Sequence, residues 1–348
     1  MSQLWTDIIT PAELTGYARA SLVEYEKNKG TLARWLPNRL VPDIQVRFRK
    51  GSSGLIPVAS FRAYDAEPSV GKRRPAGRTI LELPALGQTL PVSEYEQLRG
   101  RSGQTPSDEQ IRSFILDTTE AVVQSVADAM ELLRGIVLVT GKATVDQGDE
   151  FQVDDDFGRS AGHTLTAGSL WSSSSVSRLE YLQTIVDVYT AANGEAPGAI
   201  VGSNRVFRAL AQGDELQTAL VGGGSRPASE SQVQDTLSGA GFPPFIKFDR
   251  LVSVDDVTTR VIPNDRLLLL PAPVEPDAWQ GTKLGATFWG RTLSSLEEGW
   301  DIETSDQPGL VTGVYRNPKP PMGIEVLSDA IGEPVLANAD LSLVAKVL

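Results

Sequence analysis

Between Pro106 and Arg134, apolar residues recur at helical spacing, and no other feature constrains this chain as much. Ile111, Ile115, Val122, Val126, Ala129 and Leu133 return every three to four residues, with Phe114, Thr118 and Met130 alongside. That period describes one continuous apolar stripe on an amphipathic helix. Thr105 is placed to cap it, Pro106 to start it, and Asp108 completes a Thr-x-x-Asp box that sets negative charge in the first turn. Gly135 is expected to end it. Such a helix is about 43 Å long at ~1.5 Å per residue, against a mean of about 11–12 residues for globular helices. A helix of that length serves as a spine on which other layers pack.

The residues after it, "GIVLVTGKATVDQ", invite comparison with a phosphate-binding loop, because the apolar run Ile136–Val139 leads into Gly141-Lys142. Three features argue against it. The motif needs four residues between its glycines, and Gly135 to Gly141 holds five. Ala143 stands where a hydroxyl should reach magnesium. A phosphate loop also joins a strand to a following helix, whose N-terminal amides hold the anion, and here the helix comes first. Ile136–Val139 is read as a strand, with Lys142 at its end or turn and Asp146 and Asp149 near enough to pair with it.

Other chemistry is thinly represented. The 348 residues contain no cysteine and one histidine, His163, in the polar stretch "GRSAGHTLTAGS". Disulfides, thiolate zinc sites and cysteine nucleophiles are excluded, and His163 is read as a loop or strand-edge residue. "VDDDFG" fails as a calcium loop, since Arg159 and Leu165 stand where glycine and glutamate are needed; it reads as a solvated strand end. Ser172–Ser175 lacks the glycines of a nucleophile elbow and reads as linker. No cofactor and no metal are expected. No apolar run approaches the ~20 residues of a membrane helix, and the N-terminus lacks the basic-then-apolar pattern of a signal peptide. The six tryptophans, at 5, 35, 171, 279, 289 and 300, are expected to anchor packing.

Elsewhere the chain alternates in type. "TPAEL" opens a first helix, with Thr10 as cap, Pro11 at its first position, Glu13 closing a box and Gly30 stopping it. "TLARWLPNRLVP" follows as an arm with little core of its own. Alternation over Ile44–Arg49 gives a strand with one wet face, "KGSSG" a turn, "LIPVASFRAY" a returning strand, "EPSVGKRRPAG" a basic tip and "RTILELP" another strand. After the spine, "IVLVTGKATV" and "DEFQVDDDFG", separated by "DQGD", read as strand, turn and strand. "SRLEYLQTIVDVYTAANG" is a helix, "GAIVGS" a strand and "NRVFRALAQ" a helix capped by Ser203 or Asn204. "VGGGSRPASESQ" is a flexible connection inside an α/β unit that runs to about Leu270, and the rest is mainly β.

The charge is uneven. The whole chain carries −12 with a pI near 4.7, which gives no global attraction for nucleic acid or anionic membrane. Yet Arg47, Arg49, Lys50, Arg62, Lys72, Arg73, Arg74 and Arg78 face only Asp65 and Glu67 in their segment, a net of +6 that leaves −18 elsewhere. A two-stranded ribbon is marginal alone in water, so this one is expected to lie on the acidic surface of a neighbour. These eight basic residues are the candidate inter-subunit contacts.

Four stretches, in order, resemble one family. "LARWLPNRLVPDIQVRFRKGSSGLIPVASF" looks like its arm running into a hairpin. "FQVDDDFGRSAGHTLTAGSLWS" is similar to its Val-Asp-Phe-Gly-Arg hairpin with the following Thr-Leu-Thr and Trp-Ser, lengthened by Asp155–Asp156. "NDRLLLLPAP" with "LGATFWGRT" resembles its late central strands, and "PPMGIEVLSDAIGEPVLANADLSLVAKVL" its C-terminal end. The family is the tailed-bacteriophage major capsid protein, lambda-type capsid protein E. The resemblance implies an α+β chain of the Hong Kong 97-type phage capsid fold. Its expected parts are an N-terminal arm (1–45), an extended hairpin loop (46–92), a peripheral domain (93–175) with spine helix 106–134, an axial α/β domain (176–308), and a segment (309–348) returning to the peripheral domain. It implies no catalysis. The expected partners are the chain itself, in hexamers and pentamers of an icosahedral shell, with portal, scaffolding and decoration proteins and packaged double-stranded DNA read without sequence specificity. The expected location is the virion, after assembly in the bacterial cytoplasm. A cargo-loaded nanocompartment would share the fold, and a carboxylate-based α/β enzyme is the alternative from a different class.

Overall fold

The computed structural model describes residues 3–50, 77–99, 108–146, 152–173, 175–216, 227–319 and 322–348. The ribbon's turn, returning strand and tip, the Thr105–Pro106 helix start, the "DQGD" turn with Asp149, Ser174 and glycines 222–224 lie outside the described residues.

In chain order, β1 (Gln3–Leu4) precedes α1 (Pro11–Lys29). Thr10 Oγ1 accepts the Glu13 amide at 3.3 Å, Pro11 fills the first helical position, and Gly30, at φ 81°, stops the helix, as the sequence pattern predicts. β2 (Asn38–Leu40), β3 (Gln45–Lys50), β4 (Gly77–Glu82) and β5 (Ala85–Val92) follow, then α2 (Glu94–Arg99) and the spine helix α3 (Asp108–Thr140). β6 (Lys142–Asp146) and β7 (Gln152–Asp156) form an antiparallel hairpin, and β8 (Thr164–Thr166) leads to α4 (Arg178–Asn193). β9 (Ala199–Gly202), α5 (Asn204–Ala211), α6 (Glu230–Gly239) and β10 (Phe245–Lys247) come next. The remainder is β: β11 (Leu251–Val254), β12 (Val257–Arg260), β13 (Arg266–Leu270), β14 (Gly285–Trp289), β15 (Val311–Arg316), β16 (Ile324–Leu336) and β17 (Leu343–Lys346).

Two sheets organise these elements. The six-stranded sheet runs β1-β15-β16-β14-β2, with β5 also on β16. β16 serves two sets of neighbours: residues 324–331 pair with β5, 324–329 also with β15, and 332–336 with β14. α1 and α3 cover one face of this sheet. Ile115 and Val122 pack with Val314, Ile324 and Val326, while Val123, Val126 and Met130 pack with Trp289 and Ala330. Thr15 Oγ1 on α1 accepts the Thr312 amide of β15 at 3.1 Å. The five-stranded sheet runs β10-β9-β13-β17-β8. Around it, α5 starts at Ser203, whose Oγ accepts the Val206 amide at 3.2 Å, and α6 starts with a capping box between Ser229 and Gln232. The expected flexible connection therefore ends in an ordered cap.

One expectation needs correction. The spine helix does not end at Gly135, and Ile136–Val139 is not a strand: α3 has 33 residues and continues to Thr140. Short apolar runs look alike in buried helices and buried strands. Here the stripe widens because α3 leaves the sheet surface and enters the main core, where Leu133, Val137 and Leu138 join Leu32, Leu36 and Val261. Gly135 is needed for close approach, since a Cβ there would collide with the Val261 carbonyl. The stop is Gly141, at φ 79°, whose amide returns to the Val137 carbonyl at 2.9 Å. The arm, with little core of its own, contributes Leu32, Trp35 and Leu36 to the main core. The C-terminal segment contributes to both sheets. β15 and β16 pair in the six-stranded sheet, but β17 inserts between β13 and β8 of the five-stranded one. β8 pairs in the five-stranded sheet and β14 in the six-stranded one.

Where arm, spine and β14 meet, charge is buried. The Arg134 guanidinium, without solvent access, donates to Glu131 at 2.9 Å, Glu26 at 3.0 Å, Asn38 at 2.7 Å and Thr287 at 3.0 Å. Burial opposes its charge, and the Glu26 and Glu131 carboxylates more than offset that, raising its pKa. Glu131 Oε1 also accepts the Leu32 amide at 2.5 Å. Arg250 closes the set, donating to Asp128 at 2.8 Å and to the Gly30 carbonyl at 2.8 Å. Every carboxylate here has a cationic or amide donor, so the cluster is fixed in geometry. Removing one partner strands a buried charge. Arg134→Ala should cost about 3–5 kcal/mol, read by urea denaturation of the unassembled subunit; a cost below ~1 kcal/mol would show the arm is not held there.

Candidate assembly surface

The basic ribbon is anchored at its root. Val46 and Leu81 lie opposite each other in the β3–β4 register and are buried in the main core, with Phe48 packed against it. The Leu83 amide donates to the Ile44 carbonyl at 2.9 Å, and Gln45 Nε2 to Glu82 Oε1 at 2.9 Å. Beyond that root the register places Arg47 opposite Ile80, Arg49 opposite Arg78 and Lys50 opposite Gly77. Four of the eight candidate residues, Arg47, Arg49, Lys50 and Arg78, are thus brought together. Arg62, Lys72, Arg73 and Arg74 lie outside the described residues. Arg47 is exposed and makes no ion pair among the described residues, and Ile80, opposite it, is 52% exposed.

The "VDDDFGR" hairpin is a structural joint. Lys142 pairs with Asp156 at 3.2 Å, not with Asp146 as the sequence suggested, because antiparallel pairing sets residues 142 and 156 opposite each other. Asp154 accepts the Thr144 hydroxyl at 3.2 Å. Asp155 turns towards Glu333 of β16, which is fully buried. Burial first, then the Asp155 carboxylate, push the Glu333 carboxyl up to about 8. Among the described residues no group of acidic or histidine side chains could hold a metal ion. Lys142 opens a strand and a helix precedes it, the reverse of the strand-to-helix order of a phosphate loop.

Arg159 was missed as a functional residue. Its guanidinium donates to the carbonyls of Val139 at 3.0 Å and Leu138 at 2.6 Å, the last turn of α3, and to Ser342 Oγ at 2.8 Å. It satisfies carbonyls that a helix end leaves orphaned and ties the spine to the strand β17 that follows. Burial lowers its pKa to about 10, so it stays cationic at neutral pH. His163 is buried in a 3₁₀ turn leading into β8, its Nδ1 4.0 Å from Asp340 Oδ1 and its ring stacked on Tyr189. Ser173 and Ser175 hydrogen-bond each other at 3.0 Å in an exposed turn. Of the tryptophans, Trp35, Trp171, Trp289 and Trp300 are buried, and Trp5 is half-buried. Trp279 is 36% exposed, under the Arg39 guanidinium at 4.0 Å.

Glu333 has a sign that can be tested. Its folded pKa lies above the ordinary 4.5, so the folded state holds a proton the unfolded chain has lost. That contribution to stability is complete below about pH 4.5 and fades as pH rises through about 8. Melting temperatures should fall over this window, and Glu333→Gln should flatten the fall.

The fold has solved relatives. A prophage protein provisionally described as a capsid protein, from E. coli CFT073, superposes with a TM-score of 0.61 at 13% identity over 100% of both chains. A phage-related protein from Bordetella bronchiseptica RB50 superposes with a TM-score of 0.58 at 14% identity, over 96% of this chain and 95% of that one. The architecture is the Hong Kong 97-type capsid fold. No curated protein matches the chain in sequence. The family profile described as Phage major capsid protein E matches residues 20–281, most of the arm, ribbon, spine helix and five-stranded sheet. The chain belongs to the phage major capsid protein E family.

Proposed function

We propose that this chain is the subunit of an icosahedral shell, arranged in hexamers and pentamers, that encloses the double-stranded DNA of a tailed phage. Membership in a capsid family already implies a structural role and a place in the virion. The observation that carries the finer reading is the ribbon: a +6 segment on an otherwise −18 chain, rooted in its own core, with Arg47 unpaired among the described residues. Such a segment finds its counter-charge on another copy, and heterologous contacts of that kind close into rings.

On this reading residues 1–45 are the arm and 46–92 the extended loop. Residues 93–175, with α3, form the peripheral domain, 176–308 the axial domain facing the capsomer axis, and 309–348 return to the peripheral domain. Portal, scaffolding and decoration proteins are the further partners, and assembly takes place in the bacterial cytoplasm. An acidic subunit repels DNA at long range, which suits a container that packages its contents without reading them.

Electron microscopy of the expressed protein should reveal closed shells; a monodisperse monomer under all conditions would refute the reading. Within it, Arg73→Glu combined with Arg74→Glu should leave the melting temperature unchanged and abolish shells.

A further inference from the structure

The far end of β16 carries an acid that the buried cluster around Arg134 does not answer. A Cβ on Gly332 would stand 3.1 Å from Met130 Cε, so Gly332 faces the spine and its neighbour Glu333 points to the other side of the sheet. Ile331 and Val335, which share that side, pack in or against the main core. Glu333 has no solvent exposure, and among the described residues neither of its carboxyl oxygens finds a hydrogen-bond donor. An ionised carboxylate left so is costly. What meets it is a second acid, Asp155 of β7, within hydrogen-bond reach.

The β6–β7 hairpin delivers Asp155 by its register. Ala143 lies opposite Asp155 and Val145 opposite Val153, and Ala143 and Val145 pack in or against the main core. Lys142, Thr144, Asp154 and Asp156 alternate with them on the wet face, where Lys142 bonds Asp156 and Thr144 bonds Asp154. Asp155 is therefore the one charge in the inner row, and it is half-buried, so a proton reaches it from solvent. The cations nearby are held elsewhere. Arg39 shares the sheet face of Glu333, because β2 sets it beside Phe288 and β14 sets Phe288 beside Glu333. Its guanidinium stacks on Trp279 at 4.0 Å and on Phe288 at 5.2 Å, and among the described residues it makes no ion pair. Arg134, with Glu131, reaches the sheet at Thr287, which alternates with Phe288 and lies on the spine side. At the ribbon's root Val46 and Leu81 turn inwards while Arg47 and Glu82 are exposed.

Two neighbouring carboxylates repel, and the same two bond when one proton lies between them. We propose that Glu333 and Asp155 form a proton-operated latch: sharing one proton they hold the β6–β7 hairpin on β16, and when both are ionised the inner face of the hairpin is released to solvent. The step is a proton transfer to water or hydroxide; the O–H···O bond is lost and two like charges remain in a site without water. The docked hairpin is thus the state of lower pH. Burial first, then Asp155, hold the Glu333 carboxyl up to about 8, so the latch is closed below that pH and gives way as pH rises through it. Gly141 leads directly from α3 into β6, so the latch governs the segment that continues the spine. It does not depend on the shell reading.

The chain has no cysteine, so a single introduced thiol reports on one place. Ala143→Cys sets it in the buried inner row of the hairpin. Its labelling rate with an aromatic disulfide reagent is divided, at each pH, by that of the same variant unfolded in urea, which removes the thiol's own titration. Between about pH 6.5 and about pH 9 this ratio should rise about tenfold or more, the change expected for one pK unit. Glu333→Gln in the same background should hold the ratio constant to within about threefold, because its amide donates to Asp155 at every pH. Asp155→Asn, at a half-buried position, should do the same and stands in if the glutamine variant does not fold. Val145→Cys repeats the measurement from the next inner position. Ala345→Cys in β17, also buried but in the five-stranded sheet, should show no rise. A flat ratio for Ala143→Cys and Val145→Cys in the otherwise unaltered chain would overturn the latch. So would an equal rise with Glu333→Gln or Asp155→Asn, and so would an equal rise at Ala345→Cys, which would mean that alkali unfolds the whole subunit.

Discussion

Arg134 has no contact with water, and a guanidinium in that position must have all its charge answered by protein. Glu131 comes from its own helix, Glu26 from the end of α1, Asn38 from β2 and Thr287 from β14. Four segments far apart in sequence must therefore reach one point before any of them is stable there. Replacing such a cluster with apolar side chains can be neutral or stabilising, whereas breaking it is costly, so its effect is geometric more than energetic. It sets the angle at which the arm leaves the spine. Arg250, bonded to Asp128 and to the Gly30 carbonyl, extends the same control to the start of β11.

With that junction fixed, α3 can serve two sheets. Its N-terminal half packs on the six-stranded sheet and its C-terminal half enters the core shared with the five-stranded sheet. Arg159 closes the far end by bonding the last helical carbonyls and Ser342 together. The two sheets are thus joined through one rigid rod and by a C-terminal segment that pairs in each.

Much of this was legible in the sequence because it depends on local chemistry. Thr10, Pro11 and Gly30 delimit α1, and Ser203 starts α5, through capping groups that act within a few residues. The ribbon's alternation and charge were plain for the same reason. What escaped depends on contacts distant in sequence. Gly135 looked like a stop because the Val261 carbonyl that requires a glycine there lies 126 positions away. Ile136–Val139 looked like a strand because an apolar run of four has no readable period. Which sheet β17 joins was not legible, because nothing in "LSLVAKVL" says which edge it will pair with. One signal was available and unused: Glu131 and Arg134, three apart, sit among the apolar residues Met130 and Leu133 of the spine, and charges in that position are rarely left unpaired. Arg159, directly after a glycine turn, and Glu333, at an interior position of an apolar strand, belong to the same class.

The ribbon does not end where its exposed part ends. β4 passes through Leu83 and Pro84 into β5, and β5 is bonded to β16 along eight successive residue pairs. Ladder hydrogen bonds run perpendicular to the strands. Tension applied along the ribbon therefore loads those eight pairs in shear, all at once, where a sideways pull would peel them singly. β16 passes the load on to β15 and β14. The subunit is built like a strap stitched lengthwise into a panel, strongest along β5.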